Sequence, residues 1–189
     1  MEELIHNITV WIQNFVLNNN IFVSLFIGSF IVVLESILPF LPLAVFIAIN
    51  IIAFGSTIGF ILSYISTIIG CTISFYMVRS LKKYNNSEFI EKLITKFESL
   101  KFSNLVIITA IPFTPAFSIN IAAGLSKMEY KKFLCILVIS KLSTIYFWGF
   151  IGTTLLESIT DVVVISKILV LLLATFILTK LVMKHFDIY

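Results

Sequence analysis

Charge is scarce in this 189-residue chain: Asp, Glu, Lys and Arg together make 12% of it, against about 25% in an ordinary soluble domain. With 59% apolar residues and a mean hydropathy of +1.09, it cannot clothe itself in a water-facing shell. That excludes a soluble globule and points to an integral membrane protein. The cysteines, Cys71 and Cys135, both fall inside apolar runs, so no disulfide is expected and both fit as small buried hydrophobes. His6 and His185 lie near the ends, away from any span. There is no HExxH, no GxSxG and no P-loop glycine-lysine pair, so no enzyme chemistry, cofactor or metal is expected. Nucleic acid is not an expected partner. Proline is rare too, and all four copies fall in two pairs.

Those pairs read LPFLP, with Pro39 and Pro42, and IPFTP, with Pro112 and Pro115. Proline removes a backbone donor and clashes with the preceding helical turn, so each Pro-Phe-x-Pro should break a helix inside an apolar stretch. Around these breaks the apolar pattern predicts one integral membrane domain over 1–189. Residues 1–20 suit an interfacial N-terminal helix, and 21–38 an apolar helix ending at the first break. A short segment follows at 39–54, a full span at 55–80, and an amphipathic surface helix at 87–101. The second broken segment covers 103–124, a further span 133–153, and a C-terminal transmembrane helix 162–184. MEELIHN lacks a basic leader, so a cleaved signal peptide is not expected.

Lysine and arginine positions set the path. Arg79, Lys82, Lys83, Lys92, Lys96 and Lys101 precede the second broken segment, and Lys127, Lys131 and Lys132 follow it. A complete crossing would put one basic cluster on the wrong side, whereas a hairpin that enters and returns keeps both in the cytoplasm. The first broken segment then opens from the outside, and both termini are expected in the cytoplasm. The expected fold is therefore all-α, with transmembrane helices and two facing re-entrant helical hairpins in an inverted-repeat arrangement. The repeat is architectural: aligning Pro39 with Pro112 sets Asn50 opposite Ala123 and Asn120 opposite Ile47. The Asn7-Ile8-Thr9 and Asn85-Asn86-Ser87 triplets fit the glycosylation pattern, but this path leaves both in the cytoplasm.

Few residues can carry chemistry. A charge deep in an apolar helix costs about 2.5–3.5 kcal/mol on insertion scales, so Glu35 and Lys141 need compensation. Glu35 is either a proton-titratable carboxylate lining a cavity or an acceptor for donors freed by the Pro39 break. Lys141 either pairs with Glu35 or meets a phosphate. Arg79, the single arginine, can hold a lipid phosphate in its planar fork or snorkel to the cytoplasmic interface. Asn120 and Gly124 could line the second hairpin, and Gly124 could equally cap a helix.

Over residues 30–152 these features resemble the DedA superfamily of VTT-domain (SNARE-associated) membrane proteins. The first hairpin is similar to the family's glutamate and two prolines through Glu35, Pro39 and Pro42, followed by Phe54-Gly55 and Gly59. Phe75 and Arg79 resemble its Phe-x-x-x-Arg helix ending. Pro112, Pro115, Asn120 and Gly124 resemble its second series. Thr109 stands where many members carry arginine, Phe117 where many carry asparagine, and Leu43 where small residues are frequent.

The resemblance implies transport of lipids between leaflets of a bacterial plasma membrane, by a flippase or scramblase acting on phospholipid or polyprenyl phosphate. Membrane lipids with anionic headgroups are the implied partners, with proton coupling proposed for some members; self-association is left open. On that reading Glu35 is a protonation switch beside a phosphate site supplied by Lys141 or Arg79. The competing reading is a non-transporting membrane scaffold or assembly factor docked through the 87–101 helix.

The charge-derived path predicts that a cysteine introduced at Lys83 or Lys127 stays unmodified by an impermeant maleimide applied to intact cells, while one at Ser158 is labelled. Labelling at Lys127 from outside would refute the path.

Overall fold

The computed structural model describes residues 7, 10, 12, 14, 16, 18–38, 43–81, 88–157 and 161–186, with backbone only at 81, 88–90, 92–93 and 156–157. Pro39, Pro42, His6, Lys82, Lys83 and the triplet at 85–87 lie outside the described residues. Eight helices have defined bounds: α1 Ile21–Ile37, α2 Leu43–Phe54, α3 Ser56–Leu81, α4 Glu88–Ser99, α5 Phe102–Ala110, α6 Ala116–Leu125, α7 Tyr130–Glu157 and α8 Val162–His185. Among the described residues there is no strand.

Local chemistry sets several of these bounds. Asn20 starts α1: its side chain accepts from the Phe22 N–H at 2.9 Å. Asp161 caps α8 the same way, accepting from Val163 at 2.8 Å and Val164 at 3.3 Å. Between α2 and α3 the whole connection is Gly55, at φ +82°, a left-handed conformation that glycine adopts without steric cost. The Pro112–Pro115 break is the 111–115 turn between α5 and α6, where the Thr114 N–H donates to the Ile111 carbonyl at 3.1 Å. Pro112 is half-buried there, and Pro115 is exposed as the residue before α6.

Among the described residues, α3, α7 and α8 are long and apolar enough to cross a membrane. The 12 residues of α2, 9 of α5 and 10 of α6 reach about 18, 14 and 15 Å at 1.5 Å per residue, half a hydrocarbon core or a little more. These short helices pair around α3 and α7, which touch each other. α1, α2 and α6 pack on α3, while α2 and α5 pack on α7. α1 runs parallel to α3, because Gly28 faces Leu62 and, two turns on, Ser36 faces Gly70. α6 also ends beside the end of α3: a Cβ on Gly124 would lie 2.8 Å from the Phe75 carbonyl.

Close backbone approach fixes this bundle, as expected where lipid tails remove the hydrophobic drive between helices. A Cβ on Gly59 would sit 2.3 Å from the Asn50 carbonyl oxygen, and one on Gly152 2.4 Å from that of Ala44. The core lies where α3, α5, α6 and α7 meet, and includes Cys71, Phe75, Leu105, Ile108, Ala123, Phe133 and Leu137. The Phe75 and Phe133 rings stack there with centroids 4.6 Å apart. Outside it, Ile58, Ile61, Ile65, Ile69 and Ile73 form an exposed stripe along α3 at helical spacing, the surface of a helix solvated by lipid.

One sequence expectation is corrected. Cys71 is buried as expected, but Cys135 is exposed, because position 135 falls on the outward face of α7; both are free thiols. Before α1, Ile12 is 9% exposed and lines a cavity with α1 and α2. The surface helix expected at 87–101 is α4, with Phe97 buried in the core and the Glu98 carboxylate accepting from the Lys127 N–H at 2.7 Å.

Gly59→Ala should therefore destabilise the protein by about 1–3 kcal/mol, since backbone must move to admit the methyl group. Gly149→Ala should cost less, because its neighbours at 3.1 and 3.2 Å are the side-chain ends of Ile47 and Ile51. Thermal unfolding in detergent should rank the two in that order.

Candidate functional site

A helix that stops inside hydrocarbon leaves its last carbonyls without partners. At the end of α5 the donor is the Thr144 hydroxyl on α7, 3.3 Å from the Ala110 carbonyl and 3.4 Å from that of Thr109, in addition to its own Ser140 carbonyl at 3.3 Å. At the end of α6 the donor is Arg79. Its Nε lies 3.2 Å from the Gly124 carbonyl, and its Nη2 lies 3.0 Å from that of Ser126 and 2.7 Å from that of Met128. The guanidinium also sits 4.4 Å from the Phe75 ring centroid. Arg79 thus takes a role the sequence reading did not contain, that of a clamp joining the end of α3 to the end of α6. Gly124 supplies one clamped carbonyl and the close approach to α3.

Glu35 sits half-buried in the last turn of α1, and Lys141 is 3% exposed on α7. The Lys141 ammonium is the charge that acts on the Glu35 carboxylate. Among the described residues no direct ion pair joins them, and Lys141 makes no hydrogen bond. The Glu35 carboxylate also interacts with the Ser36 hydroxyl, so the two opposite charges act on each other without forming a direct pair, an arrangement costly in a low-dielectric interior.

Asn120, on α6, is 1% exposed, and neither its amide nitrogen nor its oxygen has a hydrogen-bond partner among the described residues. The hydroxyls of Thr67 on α3 and Thr114 in the 111–115 turn are buried and unpartnered as well. Each such group forgoes about 1–3 kcal/mol unless something occupies the space beside it. α6 packs on α3 and touches α1, whose last turn carries Glu35. The buried or half-buried polar groups on α1, α3, α6, α7 and the 111–115 turn thus comprise a carboxylate, an ammonium, an amide and hydroxyls.

Two further positions escaped the sequence reading. Asn50 is 1% exposed and donates to the Ser63 hydroxyl at 3.0 Å and the Gly28 carbonyl at 3.4 Å, tying α1, α2 and α3 together. Its signal was an amide inside the apolar stretch 43–54. The signal for Thr144 was a hydroxyl one turn beyond Lys141 on the same helix.

Arg79→Lys should lower stability by about 1–3 kcal/mol, because a point-like ammonium cannot serve three carbonyls as a planar fork does, and Arg79→Met by more. Thermal unfolding in detergent measures both. If either variant lost lipid binding at unchanged stability, the clamp would be wrong.

Comparison with known proteins agrees with this architecture. The model of the VTT domain matches residues 38–154. The chain is also 34% identical over 134 residues to "Uncharacterized membrane protein YhjE" of Bacillus subtilis (strain 168), a match covering 68% of this chain and 65% of that relative. No solved structure matches. A domain match over more than half the chain, with paired interrupted helices on two long spans, establishes that this protein belongs to the VTT-domain family of DedA-type membrane proteins.

Proposed function

We propose that this protein moves lipids between the leaflets of a bacterial plasma membrane, as a flippase or scramblase for phospholipid or polyprenyl phosphate. The carrying observation is Glu35 and Lys141, opposite charges on α1 and α7 that act on each other without contact. In this reading α1–α2 and α5–α6 are facing re-entrant hairpins of an inverted repeat, the C-terminus is cytoplasmic, a cytoplasmic N-terminus requires the residues before α1 to cross the membrane as well, and the polar groups lie near the bilayer midplane. The chain reversal at 111–115, the shortness of α2, α5 and α6, and the sharing of α3 and α7 between the two pairs support it. An anionic headgroup competes with Glu35 for Lys141; protonation of Glu35 releases the ammonium to the phosphate, and Asn120 supplies a further donor.

Exchange of fluorescent lipids in liposomes holding the purified protein tests this. The rate should exceed that of empty liposomes and vary with pH, and Glu35→Gln should remove the pH dependence. Lys141→Met should slow anionic lipids about tenfold or more, because hydrogen bonds to charged groups are worth about 1.5–3 kcal/mol, and should slow zwitterionic lipids less. No exchange above the empty-liposome rate would favour the scaffold reading, which the use of Arg79 as a structural clamp also suits.

A further inference from the structure

A second apolar space lies apart from the polar interior. Between α1 and α2, on the side closed by the N-terminal segment, is a cavity of about 340 Å³ walled by Ile12, Val16, Ile27, Ile31, Phe46 and Ile49. That volume falls at the low end of the roughly 300–1,000 Å³ typical of ligand sites. Two polar side chains line it, and they differ. Asn50 is engaged with Ser63 and Gly28. Ser24 is 3% exposed, and its hydroxyl has no partner among the described residues.

The wall and the hydroxyl together define the occupant. Water needs two to four polar partners and an apolar cavity stays dry, so one serine cannot hold it. An apolar chain carrying a single hydrogen-bond acceptor satisfies both the wall and Ser24. The placement along α1 gives its direction. Ser24 lies in the first turn, next to the Asn20 cap where the helix meets its polar end, and the cavity continues to Ile31, seven residues or about 10 Å further along. A lipid has this polarity profile: an ester carbonyl at the polar end and a hydrocarbon tail running inward.

We infer that the α1–α2 cavity binds one acyl chain of an ester-linked glycerolipid, with the Ser24 hydroxyl donating to the ester carbonyl and Ile12 and Val16 lining the tail. The bound chain fills the space between the limbs of the first hairpin, and it need not be a lipid that is transported.

The test uses the full chain in nanodiscs with a phosphatidylcholine carrying a diazirine at mid-chain, in ester-linked and ether-linked forms, and mass spectrometry of the labelled peptides. The ester probe should label residues 12–16 and 46–54 about two- to tenfold more than the ether probe, the value of one hydrogen bond of about 0.5–1.5 kcal/mol. In Ser24→Ala the two probes should label equally. Ala53→Phe and Ile49→Phe, which fill the cavity from separate positions, should each abolish labelling at 12–16 and leave labelling of α8 unchanged, showing that the variant is folded in lipid. Equal labelling by both probes in the unaltered protein overturns the hydrogen bond. Labelling of 12–16 that persists in either folded filling variant overturns the site.

Discussion

A buried backbone carbonyl with no donor costs free energy, and two short helices of this protein end against the long helices that pack on them. The second half of the molecule is built on the answer to that problem. Thr144 reaches from α7 to the end of α5, and Arg79 reaches from α3 to the end of α6. Neither short helix could end where it does without the long span beside it. The two long spans are therefore donors to the breaks as well as walls, and the fold holds together through side chains that repair backbone.

Interrupted helices also make an interior in which charge survives. Charge inside an apolar bundle is costly, and here the Lys141 ammonium acts on the Glu35 carboxylate, with Lys141 3% exposed. The two asparagines show how differently the halves use that interior. Asn50 is a strut joining three helices, whereas Asn120 is buried to the same degree with both amide atoms unpartnered among the described residues.

Much of this was legible in the chain. The prolines marked the break at 111–115, because no other residue so reliably ends a helix inside an apolar run. Long apolar runs gave α3, α7 and α8 nearly to their ends, and a 3.6-residue period gave α4. Glu35 and Lys141 stood out because intramembrane charge is expensive. Illegible were Cys135, whose apolar surroundings are the same whether it faces protein or lipid, and the use of Arg79. A positive residue at a helix end fits phosphate, interface and carbonyl alike until its neighbours are known.

The sequence by itself determined the solvent, the helical class, the places where helices break and the few residues too costly to be idle, because these follow from transfer energies and backbone chemistry that act locally along the chain. Only the tertiary structure decided which groups meet. That Arg79 clamps residues 124–128, that Thr144 serves residues 109 and 110, that Asn50 is satisfied and Asn120 is not, and that Ser24 looks into an apolar cavity all depend on contacts between segments far apart in sequence. In a chain where nearly every surface is apolar, hydrophobicity cannot choose between such pairings; close glycine contacts and hydrogen-bond geometry do, and those exist only once the helices are side by side.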